Sequence, residues 1–190
     1  MSRKKYFLLY EICFLSLMAA LVYVLKTFLR IPMKLPGHNA LLWVIPFIVA
    51  IGLTKKFGAG TYVGVLSGLL IGLIGMTDNG VLKVFEYTAM GFTMDVLAVV
   101  FRGHLRNLFV GIVLGAFGSF DKGLVNWTIT SIVVGNANIL LAGIGVMATS
   151  HIVFGGAGGL IAAVIVNRVQ VLRFPNRQSK LQEAKITLTD

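Results

Sequence analysis

Residues 59–76 read AGTYVGVLSGLLIGLIGM and place a glycine at every fourth position, at Gly60, Gly64, Gly68 and Gly72. On an α-helix this spacing puts all four glycines on one face. Lipid offers no hydrophobic gain for pairing apolar helices, so close approach of two backbones past small residues holds such helices together. The stretch therefore predicts a membrane-spanning helix packed tightly against a second helix.

The composition of the whole chain excludes a water-soluble globule. Of its 190 residues, 57% are hydrophobic and only 13% are charged, and the mean hydropathy is +0.88. A soluble domain of this length cannot bury that much apolar surface away from water. The formal net charge is +10, but the charges lie between apolar stretches and not on one aromatic-studded face, so nucleic acid is not an expected partner.

The chain divides into six apolar segments of membrane-spanning length. They cover residues 6–29, 39–54, 59–76, 81–101, 107–134 and 139–167, and the Gly, Pro, Asn and Asp residues between them are typical of turns. Asp121-Lys122 interrupts the fifth segment, which leaves open whether it is one helix or two. The sequence predicts an all-α integral membrane protein, a compact bundle of six transmembrane helices in a single membrane domain over 1–190, with a basic cytoplasmic tail at 168–190.

The distribution of Lys and Arg predicts the orientation. If the N-terminus is cytoplasmic, the inner segments hold twelve basic residues and the outer segments hold four, namely Lys26, Arg30, Lys34 and Lys83. Basic residues accumulate on the cytoplasmic side of membrane proteins. With six helices, both termini are then cytoplasmic.

Polar residues at one depth predict a pocket that opens outward. Ionisable groups inside a membrane are costly, and they are usually functional or paired. Lys83, Glu86 and Tyr87 lie near the outer end of the fourth segment, and Asn126 and Trp127 lie at the same level of the fifth. Above them are the predicted outer loops. We expect those loops to add Lys34, His38, Asn39, Asp78, Asn79, Asn136 and Asn138 to the substrate-binding set.

Simpler interpretations of these charges stay open. Asp121 and Lys122 could be no more than a paired or snorkelling couple. Glu86 could likewise be a structural ion-pair partner.

An enzyme is not expected. Ser67 and His151 raise the possibility of a rhomboid-like intramembrane serine protease, which needs a serine within reach of its imidazole base. The rhomboid patterns Gly-x-Ser-Gly and His-x-x-Gly-x-x-x-Gly are not met, because residue 65 is Val and the glycines after His151 fall at 155 and 159. No phosphate-binding loop, resident cofactor or metal site is predicted, and no catalytic residue is assigned.

The overall pattern resembles the substrate-binding S component of energy-coupling-factor (ECF) transporters. Six short helices in about 190 residues, inner termini and a first outer loop with Pro32, Pro36 and Gly37 match that family over nearly the whole chain. Ser16 and Ala20 fall where the family has an Ala-x-x-x-Ala face for partner coupling, although Ser replaces the first Ala.

The resemblance implies a non-enzymatic capture subunit for a small water-soluble vitamin or vitamin precursor. Its partners would be a transmembrane coupling subunit, two ATPases and membrane lipid, in the cytoplasmic membrane of a prokaryote. One branch of the family takes a transition metal through an N-terminal histidine, and Met1-Ser2-Arg3 contains none. A stand-alone small-molecule transporter or channel is the main alternative function. The identity and charge of the ligand stay open.

Overall fold

The structure, a computed structural model, describes residues 7–28, 39–74, 80–101, 107–134 and 137–173; of residues 133, 134, 137–144 and 170–173 it describes the backbone alone. Within these ranges the chain is helical, with helices α1 (Leu9–Phe28), α2 (Ala40–Thr54), α3 (Ala59–Ile74), α4 (Lys83–Val100), α5 (Leu108–Val134) and α6 (Ala137–Arg173). A 3₁₀ turn, Gly80–Leu82, precedes α4. The predicted all-α bundle of six helices is confirmed.

Helix α2 is the centre of the bundle. It contacts each of the other five helices, and buried residues occur all around it, from Ala40 to Gly52. A helix that is apolar on every side has no face for solvent, and it is stable only when other helices surround it. At 15 residues it is about 22 Å long. It ends at Lys55, whose backbone is left-handed (φ 54°) and whose N–H bonds the carbonyl of Ile51.

The glycines of α3 pack directly against the backbone of α4, as their spacing predicts. A methyl group added at Gly60, Gly68 or Gly72 would approach backbone atoms of α4 and its 3₁₀ turn to 2.7–2.8 Å. At Gly64 it would overlap the carbonyl oxygen of Tyr87. The contacts run in opposite order along the two helices, so α3 and α4 form a close antiparallel pair.

A second set of glycines with the same four-residue spacing, Gly111 and Gly115 on α5 and Gly155 and Gly159 on α6, holds these two helices together in the same way. A methyl group at Gly115 would overlap the carbonyl oxygen of Gly155, and one at Gly159 would overlap that of Gly111. These two helix pairs have the most extensive contacts in the bundle.

The structure answers the question left open for the fifth segment, and two boundaries differ from the prediction. The fifth segment is one continuous helix, Leu108–Val134, because polar side chains can face neighbouring helices without breaking the backbone. Asn138, predicted in an outer loop, lies in the first turn of α6; asparagine is common near helix starts and does not by itself mark a loop. Helix α6 continues to Arg173, past the predicted end at 167, since positive charge is favourable near a helix C-terminus.

Among the residues that the structure describes, three segments are long and apolar enough to cross a membrane by length and composition: Leu9–Phe28, Leu108–Ile132 and Gly145–Val169. The shorter helices α2 and α3 are also apolar. Buried carboxylates of α4 lie toward the two opposite ends of the bundle. The "site end" comprises the end of α1, the starts of α2 and α4 and the second half of α5, and the "Asp95 end" comprises the starts of α1 and α3 with the ends of α2 and α4.

Candidate ligand-binding site

A fully buried carboxylate, Glu86, lies at the centre of the site end. It is in the first turn of α4, and both its oxygens face ammonium groups. Lys83 Nζ lies 2.6 Å from Glu86 Oε1, and Lys122 Nζ of α5 lies 3.4 Å from Oε2. A charge in this position is tolerated only when it is paired. Glu86 therefore fixes the two lysines as well as being held by them.

Asn126 extends this cluster along α5. Lys83 Nζ donates a hydrogen bond to Asn126 Oδ1 at 3.0 Å. Lys122 and Asn126 are four residues apart and share one face of the helix. Two lysines, a glutamate and an amide from two neighbouring helices therefore meet in one polar cluster at one level of the bundle.

Aromatic rings form one wall of the cluster. Tyr87 is fully buried between Trp43 and Phe47 of α2, with ring centroids 6.0 and 6.5 Å away. The ammonium of Lys122 lies 5.0 Å from the ring centroids of both Trp43 and Tyr87. That of Lys26, from the last turn of α1, lies 5.2 Å from the Tyr87 centroid. Cation–π contacts of this kind help to stabilise partly desolvated ammonium groups.

Three polar atoms at this end are buried and have no hydrogen-bond partner among the described residues. They are the Tyr87 hydroxyl, Thr88 Oγ1 and Asn39 Oδ1. Asn39 immediately precedes α2, yet its side chain does not cap that helix. Leaving a buried polar group unpaired costs about 1–3 kcal/mol. Of these atoms, the Tyr87 hydroxyl belongs to a ring that Lys122 contacts. An unsatisfied group in that position is expected of a binding site that a ligand completes.

The structure brings together four of the predicted site residues, Lys83, Glu86, Tyr87 and Asn126. Asn39 lies at the same end of the bundle, and Trp127 is a half-buried residue of α5 next to Asn126. The positions of the other predicted site residues lie outside the described side chains: Lys34, His38, Asp78, Asn79, Asn136 and Asn138.

The predicted site set omits four members of the cluster. The sequence suggested Lys122 only as a charged residue or as a partner of Asp121. It gave no site role to Lys26, Trp43 or Phe47. Adjacent residues on a helix point in different directions, and Asp121 instead accepts a hydrogen bond from Thr93 of α4 at 2.7 Å. The presence of Lys26 in an otherwise apolar segment was the one available indication for that residue.

The Asp95 end has a buried carboxylate of a different kind. Asp95 Oδ1 accepts the N–H of Gly60 at 2.9 Å, and Oδ2 accepts the N–H and the hydroxyl of Thr61 at 2.8 and 2.7 Å. These donors belong to the first turn of α3, where backbone N–H groups have no partner within the helix. Asp95 therefore caps α3 from a neighbouring helix.

The protease alternative is not supported by the positions of its two residues. His151 Nδ1 is hydrogen-bonded to Ser119 Oγ of α5 at 2.8 Å, and Ser67 donates to the carbonyl of Gly64 in its own helix. Helix α6 packs mainly on α5 and α2, whereas α3 packs on α4, α1 and α2. In the part of the chain that the structure describes, no three His, Cys, Asp or Glu side chains are grouped to hold a metal ion.

The predicted coupling residues lie on α1. Ser16 Oγ is 3.0 Å from the hydroxyl of Tyr62 on α3, so this residue takes part in the α1–α3 contact. Ala20 is half-buried one turn later. Beside them runs an exposed stripe that includes Cys13, Leu17, Leu21 and Val24.

Comparison with known proteins supports the fold. The chain matches no protein-family model and no curated protein sequence. Among solved structures it is similar to a crystal structure of an S component of an ECF transporter, with a TM-score of 0.61, 16% sequence identity and coverage of 97% of each chain. The chain thus has the fold of an ECF S component over essentially its whole length, and the predicted resemblance is confirmed at the level of the fold.

Proposed function

We propose that this protein is the membrane-embedded substrate-capture subunit of an ECF-type importer for a small water-soluble micronutrient. It binds its ligand at the site end, catalyses no reaction, and works with a transmembrane coupling subunit and two ATPases. The observation on which the proposal depends most is the buried cluster of Lys83, Glu86, Lys122 and Asn126 within an S-component fold.

The cost of that cluster supports a binding role. Replacing a buried ion pair by apolar side chains is often neutral or stabilising, so such pairs are weak evidence of a need for stability. A bundle already held by two glycine-packed helix pairs has little structural use for two lysines and a glutamate at this depth. The unsatisfied hydroxyl of Tyr87, whose ring Lys122 contacts, is a group that a ligand can satisfy.

The partner complex is tested by purifying the tagged chain from its native membranes in mild detergent. We expect a coupling subunit and two ATPases to be recovered in stoichiometric amounts, and native mass spectrometry of the isolated chain to detect a retained small molecule. Recovery of the chain as a homo-oligomer that conducts solute by itself would favour the stand-alone transporter instead.

The proposed orientation places the site end outside the cell and both termini in the cytoplasm. Lys55 and Val81 are exposed residues at opposite ends of the bundle, so each can be tested in turn in a Cys13→Ser background. A cysteine at Val81 should react with an impermeant maleimide in intact cells, and one at Lys55 should react only after the membrane is opened. The reverse pattern would invert the topology.

A further inference from the structure

The site end has an excess of positive charge among the described residues. Two ammonium groups, those of Lys83 and Lys122, contact one carboxylate, that of Glu86. The other described carboxylates have different partners: Glu11 pairs with Lys56, Asp95 caps α3, and Asp121 accepts from Thr93. The described cluster therefore has one negative charge for two positive charges.

We propose that the ligand is a small organic anion whose carboxylate or phosphate group binds between the ammonium groups of Lys83 and Lys122. This inference rests on the proposed function and specifies its substrate class. The side chains of both lysines are largely buried, with exposed fractions of 12% and 11%. Bulk water screens their charge only weakly there, and an anion within a few ångströms is strongly attracted.

The two lysines lie at different distances from Glu86. Lys83 Nζ is 2.6 Å from the glutamate, and Lys122 Nζ is 3.4 Å from it and rests against the rings of Trp43 and Tyr87. An ammonium group has three donors, and one long contact to Glu86 leaves Lys122 with donor capacity for a second oxyanion. An anion bound there would share the two lysines with Glu86.

The hydroxyl of Tyr87 supplies an independent indication. Tyr87 is fully buried, and its hydroxyl has no hydrogen-bond partner in the described part of the chain. Both Lys122 and Lys26 lie within about 5 Å of its ring. An anion held by Lys122 would lie near this ring, and an anionic acceptor suits the hydroxyl because charge-assisted hydrogen bonds are about twice as strong as neutral ones.

A cationic ligand fits this arrangement poorly. It would meet the ammonium groups of Lys83 and Lys122, and the described carboxylate nearby, Glu86, is already engaged by both. A neutral ligand could satisfy Tyr87 but would gain none of the Coulomb attraction that the two buried ammonium groups offer an anion.

The test uses the purified full chain and an ultrafiltered aqueous cell extract that is separated by anion exchange into a retained and an unretained fraction. We expect the retained fraction to raise the melting temperature of the protein, and mass spectrometry to recover an anion from the complex. If only the unretained fraction raises the melting temperature, the anion proposal is overturned and the capture function still stands. If neither fraction nor the whole extract binds, the capture function itself fails.

A lipid headgroup has the same chemistry as a soluble organic phosphate, so lipids form a separate arm of the test. Micelles containing phosphatidylglycerol are added in place of the extract. Stabilisation by the lipid with none from the aqueous fraction would assign the cluster to a headgroup and would overturn the proposal.

A matched pair of substitutions locates the anion. Lys83 and Lys56 each lie 2.6 Å from a glutamate and have similar exposure, 12% and 17%, but they are at opposite ends of the bundle. Lys83→Gln should weaken binding of the recovered anion at least about tenfold, whereas Lys56→Gln should leave it unchanged. Equal affinity in Lys83→Gln and wild type, or equal losses in both variants, would overturn the assignment. Lys83→Arg, which keeps the charge, should restore most of the affinity if the fold is intact.

Discussion

The two ends of this bundle each bury a carboxylate on α4, and they use it in opposite ways. Asp95 receives three hydrogen bonds from the start of α3, so the fold itself satisfies it. Glu86 is surrounded by lysines from two helices, and the neighbouring hydroxyl of Tyr87 has no acceptor among the described residues. Asp95 therefore caps a helix end. Glu86 belongs to a cluster in which a neighbouring hydroxyl lacks a partner among the described residues.

This difference gives a way to distinguish structural from functional charge in a membrane. Burial alone does not separate them, because Asp95 and Glu86 are almost equally inaccessible, at 1% and 0% exposed. What separates them is the origin of the partners: backbone N–H groups that need an acceptor in one case, and excess ammonium groups in the other. The predictions below test this contrast, from the largest expected effect to the smallest.

Gly64→Leu should abolish folding and so remove both ends together. A side chain at this position would overlap the carbonyl of Tyr87 and press on the backbone of Thr88, and backbone atoms in a packed helix cannot move aside cheaply. We expect a loss well above about 3 kcal/mol, measured as the yield of monodisperse protein in size-exclusion chromatography. Gly145→Leu is the control, since nothing lies within 4 Å of its added Cβ. Similar yields for both variants would contradict the close α3–α4 packing.

Asp95→Ala should lower stability without changing the site end. It leaves the N–H groups of Gly60 and Thr61 without their acceptor, at a cost of about 1–3 kcal/mol each. Thermal unfolding in detergent measures the loss, and calorimetry on the folded fraction should give wild-type ligand affinity. Weakened binding in that folded fraction would mean that Asp95 is part of the site and that the contrast between the ends is false.

Asn126→Ala should have the reverse profile, with a small loss of stability and a clear loss of affinity. Its Oδ1 accepts from Lys83, so its removal lets that ammonium leave the position set jointly with Glu86. Lys83 keeps its 2.6 Å contact to Glu86, so the fold loses little stability. The displaced ammonium loses its charge-assisted hydrogen bond to the ligand, about 1.5–3 kcal/mol, which corresponds to roughly tenfold or more in affinity. Thr128→Ala on the exposed face of α5 is the control. Equal affinity in the two variants would place the ligand away from Asn126.

Ala20→Leu should affect neither end and should reduce uptake alone. Ala20 is half-buried beside the exposed stripe of α1, where a bulky side chain would keep a partner helix at a distance. Ser16→Leu is a less selective test, because it also removes the hydrogen bond to Tyr62. Ligand binding to the isolated protein and transport by the whole complex are measured side by side. Parallel loss of both in Ala20→Leu would mean that this face packs inside the bundle.

The sequence by itself determined the helices and much of their packing. Hydropathy and segment length are local properties that the bilayer thickness constrains directly, and the glycine spacing of α3 and α5 fixed which faces approach a neighbour. Depth along a helix follows from residue count, and for this reason Lys83, Glu86 and Asn126 could be placed at one level before any contact was known.

Only the tertiary structure decided which polar groups meet. Helix order and rotation turn Lys122 toward Glu86 and Asp121 toward Thr93, bring Trp43 and Lys26 to Tyr87, and set Asp95 against the start of α3. Six apolar helices can be arranged in many ways with similar burial, because lipid and helix surfaces are almost equally apolar. The partner of each buried charge is therefore a property of the assembled bundle and not of any one segment.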